Sequence, residues 1–389
     1  VRAVEPALPA LARPARCAGM SRLPLFLAVV LCAAPAAVLH AQSTVSVPAA
    51  SPRATVMQTV GITPITVDYS RPSVNGRPVW GSLVPYGMNN LGFGTATAAP
   101  WRAGADMNTV VTFAHDVQIG GQPLKAGSYG LFMVPTESGQ VTVILSHDHR
   151  SWGSFFYDAS RDAARFETKW EDAPHTEQLA YEFTDVKKGS AVLALRWEKK
   201  RIPMTITVDT DAHVVASLKE ELRGDKQFQY QNWLIASTYL QNNNLDLELA
   251  LQWAETAISG QFTGQRTFPT LSNKAVLLAR LGRPAEAKPL LDELVATGTV
   301  FQLHALGRQL IVSKQPQLAM EVFQTNAQRH PDTWPVHYGL ARGHSALGNY
   351  AAALEALLLA EKQIPAGDLV NPPAIKANLE KLRQGQDIN

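Results

Sequence analysis

Two textures predict an antiparallel all-β sandwich, jelly-roll-like, followed by an all-α array of tetratricopeptide-like helical repeats. Over residues 52–209, short apolar runs alternate with period two and are broken by Gly, Pro, Asn and Asp, as in half-buried strands joined by turns. Over residues 226–389 the chain becomes rich in Ala and Leu at helical spacing, and related units recur at about 34 residues. At 389 residues the chain exceeds the usual size of one hydrophobic core, so two domains are expected.

Residues 1–19, rich in Pro, Ala and Arg, read as an over-extended gene start ahead of Met20. Residues 20–41 read as a signal peptide: Arg22 supplies the positive start, an apolar run follows from Leu23, and small residues lead to an exit near Ala41. A Ser, Val, Pro and Ala linker covers 42–51. The protein is therefore expected to be exported, periplasmic or secreted, with no membrane span after cleavage. Cys32 follows Leu31 rather than a small residue, which argues against a lipid anchor. Both cysteines, Cys17 and Cys32, precede the expected cut, so the exported chain relies on its core instead of disulfides. Removing 1–41 takes away four arginines and Glu5, and the net charge of +2 becomes −1. Without a basic surplus, nucleic acid is not an expected partner.

Within the sandwich, Ile65, Val67 and Tyr69 alternate with polar residues, as do Leu179, Tyr181 and Phe183, and Leu193, Leu195 and Trp197. Each run predicts a strand with one buried face. By contrast Tyr129-Gly130-Leu131-Phe132-Met133-Val134 and Val141-Thr142-Val143-Ile144-Leu145 are apolar on both faces and are placed centrally. Gly120-Gly121 and Ser138-Gly139 mark hairpin turns. A connector spans 210–225, and then the repeats begin. Leu347-Gly348-Asn349-Tyr350, Ala353, Leu357, Ala360 and Pro365 follow the tetratricopeptide pattern. Earlier units carry Leu306-Gly307, Ala319, Phe323 and Pro331, then Leu281-Gly282 and Ala287, then Trp233, Tyr239 and Ala250. Pro372-Pro373 opens a polar helix suited to capping the stack.

The densest polar and aromatic cluster is Trp101-Arg102-Ala103-Gly104-Ala105-Asp106, with Arg71, Arg77 and Trp80 just upstream. Arginines present planar forks to carboxylate or phosphate oxygens and indoles offer flat faces to a ring. Arg71, Arg77, Trp80, Trp101, Arg102 and Asp106 are therefore candidate ligand-binding residues for an anionic or carbohydrate-like group. The competing reading is an internal arginine–carboxylate network with Asp68, Asp106 or Asp158, the indoles serving as core. Strand parity puts Arg71 at the core rim, where it needs a carboxylate, carbonyls or an anion. His147 and His149, two apart at a strand end, are weak metal candidates, but their run His-Asp-His-Arg-Ser resembles a solvated turn; no metal or cofactor is expected. A Ser70, His115 and Asp106 triad can be written on paper, yet nucleophile-elbow, phosphate-loop, dinucleotide and His-Glu-x-x-His motifs are absent from the sequence. In the helical part, His337 and His344 lie one heptad apart and could line a concave face.

Several motifs together resemble a family of exported bacterial domains catalogued as a domain of unknown function, number 2911. They are Tyr69-Ser70-Arg71-Pro72, Gly76-Arg77, Val79-Trp80-Gly81, Pro85-Tyr86-Gly87, Trp101-Arg102-Ala103-Gly104-Ala105-Asp106, Ala126-Gly127-Ser128-Tyr129, Trp152-Gly153 and Tyr157-Asp158. The resemblance covers about 51–208 and implies the sandwich, often followed by a helical part, but carries no activity. The chain departs from that pattern twice: residues 88–100 are an insertion, and Asp106 stands where the family usually has Asn. The function expected is a non-catalytic binding or assembly protein whose repeats hold a protein partner. The alternative is a cell-envelope hydrolase acting on glycan or peptide through Asp106 and Arg102.

Overall fold

The computed structural model describes residues 47–330 and 333–389. The expected gene start and signal peptide, both cysteines and Pro331 lie outside the described residues. Ala49–Asn389 form one compact unit. Its first part consists of two antiparallel sheets. One has the order β1 (Arg53–Val60), β2 (Thr63–Ser70), β3 (Thr109–Phe113), β6 (Gly127–Pro135), β7 (Gln140–Ser146), β8 (Asp162–Lys169). The other has the order β5 (Gln122–Leu124), β4 (Val117–Ile119), β10 (Ser190–Thr207), β9 (Glu171–Lys187). Side chains of both sheets share one core, with Ile65, Val67, Leu131, Met133, Leu179, Leu193 and Leu195 fully buried.

The two strands apolar on both faces, β6 and β7, are interior to their sheet. Leu131, Met133, Val143 and Leu145 enter the shared core, while Phe132, Val134 and Ile144 form a second cluster on the outer face, covered by Tyr157. The segment between β7 and β8 therefore acts as a lid over the sheet. Gly120-Gly121 turns β4 into β5, and Ser138-Gly139 lies in the turn between β6 and β7. β9 and β10 form a long hairpin with register shifts on both sides of Glu198, whose φ of 55° marks the irregular residue.

After the sheets, α1 (Thr210–Glu221) is capped by the Asp209 carboxylate, which accepts from Ala212 N at 3.0 Å. Four antiparallel helix pairs follow: α2 (Tyr230–Asn242) with α3 (Leu247–Ser259), and α4 (Phe268–Arg280) with α5 (Pro284–Thr297). Then come α6 (Val300–Val312) with α7 (Pro316–Arg329), and α8 (Trp334–Ala346) with α9 (Tyr350–Gln363). α10 (Asn371–Arg383) opens with its two prolines in the first turn and packs on α9. The small residues of the repeat pattern allow close approach: a Cβ on Gly307 would lie 2.3 Å from the Phe323 ring.

The helices meet the sheets at one end of the sandwich. Gly61 turns β1 into β2 with φ +60°, and a Cβ there would sit 2.3 Å from Thr210 Oγ1. Thr210 donates to Lys188 O at 2.7 Å. Lys188 in turn bonds Asp211 and Asn243, both at 2.7 Å. The rings of His115 and His213 stack at 4.9 Å, and His213 Nε2 donates to the Asp116 carbonyl at 2.8 Å. Among the described residues, no helix is long and apolar enough to cross a membrane.

Candidate functional site

The opposite end of the sandwich carries a cleft of about 350 Å³, lined by Arg77, Trp101, Arg102, Asp106, Ser154 and Trp197 among others. A buried hydrogen-bond set fixes the backbone between Arg102 and Gly104, both of which line the cleft. Ala103 is fully buried and has φ 50°, a costly conformation for a residue with a Cβ. Its carbonyl accepts from Tyr181 OH at 2.8 Å and Thr109 Oγ1 at 3.0 Å, each bond contributing about 1 kcal/mol. Burial pushes the Tyr181 phenol well above its ordinary pKa, so it stays a donor. Trp101 is held on both sides of its peptide by Met133 of β6, at 2.9 and 2.8 Å. Arg102 is thereby fixed between two anchored residues.

The Arg102 guanidinium is half-buried. It donates to the Asp106 carbonyl at 2.6 Å, lies 5.2 Å from the Phe155 ring centre and rests against Gly153. A Cβ on Gly153 would lie 2.3 Å from Arg102 Cζ, and its φ is +67°, so this position needs glycine twice over. Burial draws the Arg102 pKa below its ordinary value, opposed by the nearby Asp106 charge. Asp106 itself has φ 57°, in the left-handed region that Asn and Asp adopt more readily than other residues with a Cβ. Arg77 spends Nε on Val74 O at 3.1 Å and one terminal nitrogen on Ser73 O at 2.5 Å.

The structure divides the six candidates. Arg77, Trp101, Arg102 and Asp106 line the cleft, whereas Arg71 and Trp80 lie outside its lining. Arg71 Nε donates to Leu179 O at 2.9 Å, tying the end of β2 to β9. Trp80 sits within an indole cluster, 5.8 Å from Trp101, 5.3 Å from Trp170 and 6.3 Å from Trp197. Trp101 and Trp197 stack at 6.0 Å and 17°. Of the three expected carboxylate partners, Asp68 pairs with Arg53 and Thr55 and Asp158 caps the short turn of helix at Ala159–Arg161, while Asp106 stays in the cleft with Arg102. The arginines are held by carbonyls, which carry no net charge. These hydrogen bonds orient the guanidinium groups, and Asp106 is the carboxylate whose charge acts on Arg102.

The cleft also draws on the insertion and on a segment distant in sequence. The insertion 88–100 closes on itself through paired Asn89 and Ala99 backbone bonds at 3.0 and 2.8 Å. It then docks on the 152–157 segment through Ala96 N to Phe155 O at 2.9 Å. Asn89, Leu91, Ala99 and Pro100 form one wall of the cleft. The other wall takes Ser154, next to the Trp152-Gly153 pair that marks this segment in the sequence.

The triad on paper is not assembled. His115 shares a hydrogen bond with Thr63 at 3.0 Å at one end of β2, while Ser70 ends the same strand, about 23 Å away at strand rise. The two candidate metal ligands do not converge either: His149 Nδ1 donates to His147 O at 3.1 Å, and Asp148 pairs with Arg161. Among the described residues, no group of three or more His, Cys, Asp or Glu side chains is placed to hold a metal ion.

With the Trp-Arg loop, Gly153 and the indole cluster in place, the sheet segment can be compared with known proteins. Residues 51–206 match the DUF2911 family model, described as a protein of unknown function. The DUF2911 segment thus covers both sheets and every wall of the cleft. No curated protein matches the chain. The helical part is similar to solved tetratricopeptide proteins. One is PilW, described as a widely conserved type IV pilus biogenesis factor, at 19% identity, 44% of this chain, 77% of that chain and a TM-score of 0.31. Another is a tetratricopeptide repeat protein from Parabacteroides merdae, at 19% identity, 44% and 72% coverage and a TM-score of 0.29. YrrB, described as a tetratricopeptide protein with an unusual peptide-binding site, matches at 15% identity, 45% and 89% coverage and 0.26.

Proposed function

We propose that the protein is an exported, non-catalytic binding or assembly protein: its DUF2911 cleft holds an anionic or carbohydrate-like group and its helical repeats hold a protein partner. The observation that carries this reading is the state of Arg77 and Arg102. Both line one cleft, both are oriented by backbone carbonyls, and one carboxylate, that of Asp106, lines the cleft with them. Such a site gains little by closing on itself and much by accepting a planar anion through the remaining N–H donors. The stacked Trp101 supplies an apolar wall beside that anion. Helical repeats of this kind serve protein–protein interaction, and export follows from the expected signal at 20–41.

Calorimetric titration with glucuronate and with glycerol 1-phosphate tests the cleft. Wild-type protein should bind one or both, and Arg102→Ala should weaken binding about tenfold or more, as expected for loss of a charge-assisted pair. Binding of neither anion, or equal binding by the folded Arg102→Ala protein, overturns the cleft reading. Fractionation of cells expressing the whole chain tests export.

A further inference from the structure

The loops around the cleft expose an unusual share of apolar surface. Leu83, Leu91, Phe93, Met107, Trp152 and Phe156 are all exposed, with Phe93 at 59%, Trp152 at 56% and Phe156 at 52%. They are joined through Phe155: Phe93 lies 5.5 Å from it and 6.0 Å from Phe156, and Trp152 lies 5.3 Å from Phe155. Phe155 also carries the Arg102 guanidinium. An aromatic ridge therefore runs from solvent to the cation in the cleft. The fold does not require these side chains to be outside, since Ala96 and Gly94 anchor the loop to the Phe155 backbone without them. A patch of this kind marks an interaction site.

The rim and the cleft together narrow the ligand. A sugar acid would satisfy the arginines and leave the aromatic ridge in water. An apolar protein surface would cover the ridge and leave the arginines without an anion. Resting on the reading of the cleft as an anion site, we infer that it seats the acidic headgroup of a membrane lipid, with Phe93, Trp152 and Phe156 entering the bilayer interface. A cleft of about 350 Å³ is at the small end for a whole ligand, and so suits a headgroup whose chains remain in the membrane. Aromatic side chains beside arginines are the pairing that a negatively charged lipid surface attracts.

The test is sedimentation of the protein lacking residues 1–41 with vesicles of phosphatidylcholine alone or mixed with phosphatidylglycerol. The mixed vesicles should bind and the neutral ones should not. Arg77→Ala and Arg102→Ala should each weaken binding about fivefold, and the double variant Phe93→Ser/Phe156→Ser about tenfold or more, with melting temperatures unchanged in the Phe variant. Equal binding to both vesicle types, no binding to either, or wild-type binding by the Phe variant overturns the inference. Soluble dihexanoyl phosphatidylglycerol that binds when vesicles do not would assign a free amphiphile and also overturn it. If glycerol 1-phosphate binds wild type but not Arg102→Ala while vesicles fail, the anion cleft stands and the membrane assignment alone falls. If glucuronate and glycerol 1-phosphate both fail as well, both fall.

Discussion

The two ends of the sandwich are both built of loops, yet they solve opposite problems. At the end where α1 docks, Gly61, Lys188 and His115 are met by Thr210, Asp211 and His213 of the same chain. At the cleft end, the arginines are oriented by their own backbone, and Phe93, Trp152 and Phe156 face water. One end has its partner built in, and the other presents an unmet surface. Substitutions at the first should therefore cost stability, and substitutions at the second should cost binding.

The largest break expected is Gly61→Val. Its φ of +60° and the contact with Thr210 combine a left-handed penalty with overpacking, about 3–4 kcal/mol in all, read as a lowered denaturant midpoint. A second closed region gives a pH test. His304 donates Nδ1 to Pro335 O at 2.9 Å, and burial lowers its pKa from 6.5 to about 4. Between those values the unfolded chain binds more protons than the folded one, so stability falls as pH falls. About 3 kcal/mol is at stake, and His304→Gln should flatten that part of the pH dependence in paired denaturant melts at pH 7 and pH 4.5.

At the cleft, Gly153→Ala should cost about 1 kcal/mol in strain. It should weaken anion binding as far as Arg102→Ala does, because the new Cβ displaces the guanidinium. Calorimetry on both variants checks this. Lys314→Gly should raise stability by about 0.5–1 kcal/mol, visible as a small rise in melting temperature. Lys314 holds φ 59° at the turn where neighbouring repeats place Gly282 and Gly348. Phe93→Ser and Phe156→Ser should each stay within about 0.5 kcal/mol of wild type in thermal melts. A large loss there would mean that the ridge supports the fold, erasing the contrast between the two ends.

Much of the scaffold was legible because it rests on local periodicity. Ile65, Val67 and Tyr69 alternate in sequence and are buried in the structure, and the two-sided apolarity of β6 and β7 matches their interior place. Gly307 and Phe323, which identify a repeat, meet across helices as the pattern implies. The site was half legible. Trp101, Arg102 and Asp106 are adjacent in the chain, but Trp197 and Ser154 reach the cleft only through pairing and docking that no local window contains. The partners of the arginines were invisible for another reason. Every residue carries a carbonyl, so composition cannot show that Leu179, Asp106 and Ser73 hold guanidinium groups through backbone oxygens.

β2 has one further consequence. It starts at Thr63, beside the joint with the helices, and ends at Ser70, next to the arginine that ties the cleft end to β9. It is hydrogen-bonded on both edges, to β1 and β3, and its inward side chains are fully packed, so it behaves as a rod of fixed length. Helical array and cleft are thus joined along one strand: Gly61, just before its start, packs on Thr210 of α1, and the carbonyl of its last residue, Ser70, lies against Gly104 of the Trp-Arg loop.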